Sequence, residues 1–186
     1  QAGVNTSISK LEHNNTAALI TGEGTTLTIT GDSSSYGGSF GGTVTVDYTG
    51  GGTFTLGNSD KTVALTPAAS ADATLKISSG TLSLFSGNVN WSQKLVMGDG
   101  TTLTVQDGPA VSGYYNYDAT SINGDGFTFS GAATFGTGVN LTTQYGKNIK
   151  FTGVLTAASG FSISGANSEY TYYTLTGTEN QIGGTI

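Results

Sequence analysis

A chain of 186 residues with 30 glycines, two prolines and 10% charged residues has the length of one domain and the composition of a repetitive one. Its formal charge of −6, with every cation a lysine, excludes the clustered positive charge and guanidinium forks of nucleic-acid or anionic-membrane surfaces. Without cysteine it has neither disulfides nor thiolate metal sites, and no apolar run nears the roughly 18 residues of a spanning helix.

The chain opens Gln1-Ala2-Gly3, which reads as an N-terminus exposed by signal cleavage or by trimming; the first reading makes the protein exported. Residues 1–20 form an N-terminal strand segment in which Val4, Thr6 and Ile8 alternate with Asn5, Ser7 and Ser9. It is a candidate inter-subunit strand. The single histidine, His13 in "KLEHNNT", has no serine-and-acid set around it and reads as a solvated loop residue.

From 21 to 186 the sequence reads as a single Gly/Thr-rich all-β repeat domain. Short phrases succeed one another: "GEGTTLTITG" (22–31), "GGTVTVDYTG" (41–50), "GGTFTLGN" (51–58), "ADATLKISSG" (71–80) and "GTLSLFSGN" (80–88). The series continues with "GDGTTLTVQDG" (98–108), "GDGFTFSGA" (124–132), "GKNIKFTGV" (146–154) and "SGFSISGAN" (159–167). Each predicts a strand of about four to six residues, apolar positions alternating with Thr, Ser or Lys, bounded by Gly, Asn or Asp. Leu27 and Ile29 alternate with threonines, as do Leu103 and Val105, and Phe127 and Phe129 flank Thr128. One face of each strand is buried and the other wet.

Taking Thr26, Thr53, Thr81, Thr102, Phe127 and Ile149 as equivalent starts gives a spacing in the twenties. Short strands and glycine turns at such a period predict a parallel β-solenoid of about seven or eight coils, each too poor in apolar area to fold alone. A β-sandwich or jelly roll also spaces its strands regularly and is the alternative. The likeness of the phrases themselves favours the solenoid.

The G-x-G-T-x-L-x-[IV] phrase of 22–29 and 98–105, with the Gly/Thr/Asn-rich texture of residues 20–167, resembles the β-strand repeats of bacterial autotransporter passenger domains. No counterpart of that family's C-terminal membrane barrel is present in these residues. The resemblance implies a right-handed parallel β-helix at a bacterial surface, serving adhesion or aggregation. It carries over no site residues.

Glu23, Asp99 and Asp125 each lie between two glycines just before a strand. Were they to share one corner they could hold Ca²⁺, a hard cation that takes oxygen ligands. The turn reading competes: Asp-Gly and Glu-Gly are ordinary entries to a strand. The other acids are scattered through turns such as "TGDSS" and "LGNSDK", without the facing pair that glycoside hydrolysis requires, so no catalytic residue or cofactor is expected. Tyr114, Tyr115 and Tyr117 in "SGYYNYDATS" offer a rigid amphipathic contact surface, for a glycan or host partner, or pack within their own loop. In "SEYTYYTL", Tyr173 and Leu175 read as inner-face packing residues, and Trp91 as a core or cap residue. Four Asn-x-Ser/Thr triplets, at Asn5, Asn14, Asn90 and Asn140, arise readily in such a composition.

Both ends read as strands without a polar cap, the first through Val4, Thr6 and Ile8, the last reaching Ile186. Bare edges recruit strands. The function expected is an extracellular, non-enzymatic structural protein whose partners are copies of itself, assembled into a fibre or surface layer. An adhesin passenger segment is the alternative and a carbohydrate-active β-helix the third reading. On the first, removal of residues 1–10 leaves a folded protein that no longer polymerises.

Overall fold

A computed structural model describes residues 4–13, 18–56, 72–85, 89–106, 126–143, 148–165, 172–175 and 180–182. The chain is a three-sided parallel β-solenoid, and its coils follow directly from the strand order. The first coil is β1 (Thr6–Ile8), β2 (Glu12–His13) and β3 (Leu19–Gly22); the second is β4 (Thr26–Ile29), β5 (Ser33–Tyr36) and β6 (Ser39–Gly42). The third shows β7 (Thr45–Tyr48) and β8 (Thr53–Leu56), and the fourth β9 (Thr74–Ile77), β10 (Thr81–Phe85) and β11 (Val89–Trp91). Then come β12 (Lys94–Met97), β13 (Thr102–Gln106) and β14 (Gly126–Phe129), followed by β15 (Ala133–Phe135), β16 (Asn140–Thr143) and β17 (Asn148–Phe151). β18 (Leu155–Ala157), β19 (Ser162–Gly165) and β20 (Tyr172–Leu175) close the seventh coil, and β21 (Gln181–Ile182) starts an eighth.

Sheet A stacks eight strands in the order β1-β4-β7-β9-β12-β15-β18-β21, and sheet B seven, from β2 to β19. The third side holds a pair, β3-β6, and a four-stranded sheet, β11-β14-β17-β20. Every strand pair among the described residues is parallel, which a sandwich of hairpins would not give. The period-two pattern explains why each strand turns one face inward. In sheet A one inward column runs Leu27, Val46, Leu75, Leu95, Ala133, Leu155. The neighbouring column runs Ile8, Ile29, Tyr48, Ile77, Met97, Phe135 and Ala157, and the backbone of Ile182 stands in register with Ala157. Sheet B adds Phe54, Leu82, Leu103 and Leu141, each at most 1% exposed. Burying each such side chain stabilises by about 1.5–3 kcal/mol, so one coil contributes little until its neighbours cover it.

The anticipated set of equivalent starts mixes three sides. Thr53, Thr81 and Thr102 do form one column of sheet B, but Thr26 belongs to sheet A and Phe127 pairs with Ile149 on the third side. The two near-identical phrases therefore occupy different faces: β4 lies in sheet A and β13 in sheet B. A Thr-apolar-Thr strand fits either face, because both need the same in-out alternation. The register step is as short as 19 residues, Thr26 to Thr45, and as long as 38, Leu95 to Ala133. Residues 1–20 hold no separate unit in the described part; β1 to β3 are the first coil of the same stack.

Glycine is required at two kinds of corner. Between sheets A and B, Gly100, Gly138 and Gly160 hold φ of 66°, 68° and 75°, a left-handed conformation other residues adopt at a cost. Their amides tie coil to coil: Gly100 N–H donates to Thr137 O at 2.8 Å and Gly138 N–H to Ser159 O at 3.2 Å. Entering sheet A, Gly131 and Gly153 pass so near the previous coil that a Cβ would meet a backbone carbonyl at 2.2 Å.

Candidate functional site

Of the three calcium candidates, Glu23 and Asp99 stand at different corners. Glu23 precedes β4 of sheet A, Asp99 precedes β13 of sheet B, and the strand after Asp125 is β14 on the third side. Three acids in similar words thus stand before strands of three different sheets, and Asp125 itself lies outside the described residues. Glu23 Oε2 accepts from Thr43 Oγ1 at 3.2 Å, and Asp99 Oδ1 accepts from the Thr137 N–H at 2.7 Å. These are turn bonds between successive coils. Among the described residues no group of three or more His, Asp or Glu could hold a metal ion.

Of the residues expected to make contacts, Tyr114, Tyr115, Tyr117 and Ile186 lie outside the described residues. Tyr173 and Leu175 stand in register with Ile149 and Phe151, both buried. His13 is exposed, with its ring 6.5 Å from that of Tyr36. Trp91 is fully buried, as the core reading of it requires.

The edge of sheet A at β1 is the feature with most chemistry left to satisfy. Ile8 O accepts from Thr30 N–H at 3.0 Å, so Ile8 turns its backbone toward β4. In a parallel sheet alternate residues bond to opposite neighbours. Ser7 therefore points its N–H and C=O away from β4, where no described strand lies. Thr6 and Ile8 both belong to β1, Ile8 partly buried over Ile29; Val4 precedes the strand and is 81% exposed.

The composition of the end coils differs from the rest. Opposite Leu27 stands Thr6, and Asn180 immediately precedes β21, whose Gln181 and Ile182 pair with Thr156 and Ala157; the coils between carry an aliphatic residue in the column of Leu27. In the middle of the stack, main-chain carbonyls receive the amides entering sheet A, as Thr25 O does from Thr45 N–H at 2.8 Å. At the two ends a side chain substitutes: Asn5 Oδ1 accepts from Thr26 N–H at 2.8 Å, and Asn180 Oδ1 from Leu155 N–H at 2.9 Å. The sequence gives only a faint sign of this, because asparagine is common everywhere in the chain.

A second unforeseen feature lies where the third side changes sheet. Phe40 of β6 meets Trp91 of β11 edge-on, ring centroids 5.6 Å apart at 81°, and stacks on Tyr36 at 5.3 Å. Gln93 Nε2 donates to Phe40 O at 3.3 Å. Yet Trp91 Nε1, Gln93 Oε1 and the Ser83 hydroxyl are buried without a hydrogen-bond partner among the described residues. On the outer face of sheet A, Lys76 Nζ lies 2.9 Å from Asp47 Oδ2, and Ser78 Oγ donates to Asp47 Oδ1 at 2.6 Å. That trio binds coil to coil through residues far apart in sequence.

Comparison of the chain with protein-family models, with curated proteins and with solved structures finds no match.

Proposed function

We propose that this is an extracellular, non-enzymatic structural protein that associates with copies of itself through β-strand edges, forming a fibre or surface layer. The observation that carries the reading is the edge of β1, where Ser7 turns its main-chain N–H and C=O toward no described strand, beside an apolar column that includes Ile8. Edge strands of this kind add further strands by backbone hydrogen bonding, and weak contacts become durable when repeated. The scattered acids, bonded to neighbouring turns, support the non-enzymatic part. A second reading, a passenger segment of a bacterial adhesin that binds glycans or a host surface, is favoured by the parallel β-helix itself, the architecture which the autotransporter resemblance implies.

Ser7→Pro tests the first reading. Proline removes the one amide of β1 that faces outward, and no bond to β4 is lost. The expected result is a protein of unchanged circular dichroism that no longer forms the filaments seen for the parent by negative-stain electron microscopy. Parent protein that stays as isolated short rods over the accessible concentration range overturns the reading. Deleting residues 1–10 is a poorer test than the sequence suggested, since it bares Leu27 and Ile29 on β4.

A further inference from the structure

We propose that the outer face of sheet B binds crystalline water: its two files of hydroxyl-bearing residues form a grid that adsorbs to an ice surface. The surface is a face of the coil stack, not an edge, and its binding does not depend on the self-association proposed above.

In-register pairing carries Ser33, Thr53, Thr81, Thr102, Asn140 and Ser162 down one outward file. The second file, two residues further along each strand, is Ser35, Thr55, Ser83, Thr104 and Thr142. Between the files Phe54, Leu82, Leu103 and Leu141 are buried, so alternation turns both files outward. Strands about 4.8 Å apart, with roughly 6.6 Å between alternate residues of one strand, set a grid near both repeats of the prism face of hexagonal ice. Threonine is stiff at χ1, so each hydroxyl and methyl holds its place and little rotamer entropy is lost on binding. The methyls order the adjoining water and the hydroxyls anchor it.

Folding does not demand this composition. Sheet A meets the same apolar-in, polar-out requirement with an outer file of Thr28, Asp47, Lys76, Val96, Thr134 and Thr156. In the two files of sheet B every residue is uncharged, although the chain carries a formal −6. Charge would oppose the binding, because an ammonium keeps its own hydration shell and does not enter an ice lattice. Among the described residues the hydroxyls of Thr53, Thr55, Thr81, Thr102, Thr104 and Thr142 have no hydrogen-bond partner. Those of Thr30 and Thr49, beside sheet A, instead donate to Ile8 O and Ile29 O of the coil before. Ser83, in the middle of the second file, is fully buried and its hydroxyl has no partner among the described residues. Buried hydroxyls are ordinarily satisfied by protein or by ordered water, and here the described protein offers nothing.

The test uses the full chain. A slowly growing ice hemisphere is expected to take the protein up rather than exclude it, and nanolitre osmometry to show a gap between the melting and growth temperatures of a crystal. Thr102→Lys sets a charge in the first file and is expected to lower both uptake and gap several-fold. Lysine already stands at the outward strand positions of Lys76 and Lys94, so the fold should survive, as circular dichroism checks. Thr55→Lys repeats the measurement in the second file should Thr102→Lys unfold. Thr134→Lys, on the exposed outer face of sheet A, is expected to leave both readouts unchanged. Equal loss in Thr134→Lys, or a parent protein that ice excludes with no gap, overturns the proposal. A parent that ice excludes but microcrystalline cellulose retains, with retention lost in Thr102→Lys, overturns it in favour of a crystalline glycan.

Discussion

Trp91 offers the sharpest check on the packing described here, because two opposing terms act on one residue. It is the only tryptophan, fully buried, edge-on to Phe40, and its indole N–H has no hydrogen-bond partner among the described residues. Truncation to alanine leaves a cavity where the third side changes sheet and is expected to cost about 3–5 kcal/mol, the range for large aromatic deletions. Replacement by phenylalanine removes two or three CH₂-sized groups, about 2 kcal/mol of burial at ~0.8 kcal/mol each. It also removes a buried, unbonded donor, whose desolvation costs about 1–3 kcal/mol. The two nearly cancel, so Trp91→Phe is expected within about 1 kcal/mol of the parent. Urea unfolding followed by far-ultraviolet circular dichroism measures both variants, and an unchanged slope shows that the unfolded reference is the same. If phenylalanine proves as damaging as alanine, the indole N–H is bonded in solution and the unpaired junction is wrong.

Other expectations are more local. Gly138→Ala forces a side chain into φ of 68° and should lower stability by about 1–2 kcal/mol, read as a fall in melting temperature. Burial raises the Tyr36 phenol above its usual 10.0, and burial, then the Asp32 charge, raises that of Tyr48. Because the folded values exceed the unfolded one, this contribution is fully present below about pH 10 and fades as pH climbs through the folded values. Alkaline unfolding should therefore track tyrosinate absorbance, and Tyr36→Phe with Tyr48→Phe should move its midpoint upward. With Glu23 and Asp99 at separate corners, melting in Ca²⁺ and in EDTA should coincide; a rise of several degrees in Ca²⁺ would contradict that separation.

What was legible in the sequence was the alternation. Leu27/Ile29, Leu103 and Phe129 announce inward positions because period two survives any ambiguity about which sheet a strand joins. The side on which a strand lies was not legible. "GEGTTLTITG" and "GDGTTLTVQDG" satisfy the same local demand at different corners, and only the count of preceding strands separates them. The same limitation hid that Glu23 and Asp99 stand at different corners. The Asp47–Lys76 pair was hidden for another reason: its partners are neighbours across coils and 29 residues apart along the chain, a distance that an inserted segment stretches freely. Asn5 and Asn180 were unreadable as end markers, since what distinguishes them is the carbonyl they replace.

The direction of the hydrogen bonds has a mechanical consequence. In a stack of parallel coils the ladder bonds lie along the rod, so tension applied between its ends loads coil-to-coil interfaces in series, and the weakest yields first. On sheets A and B each interface is a complete ladder. On the third side, β6 and β11 belong to different sheets, and among the described residues Phe40 meets Trp91 edge-on while Gln93 Nε2 donates to Phe40 O. The eight strands of sheet A, spaced roughly 4.8 Å, make a rod about 35 Å tall. Pulled from both ends, it would yield at its weakest coil-to-coil interface and leave blocks of coils folded on either side.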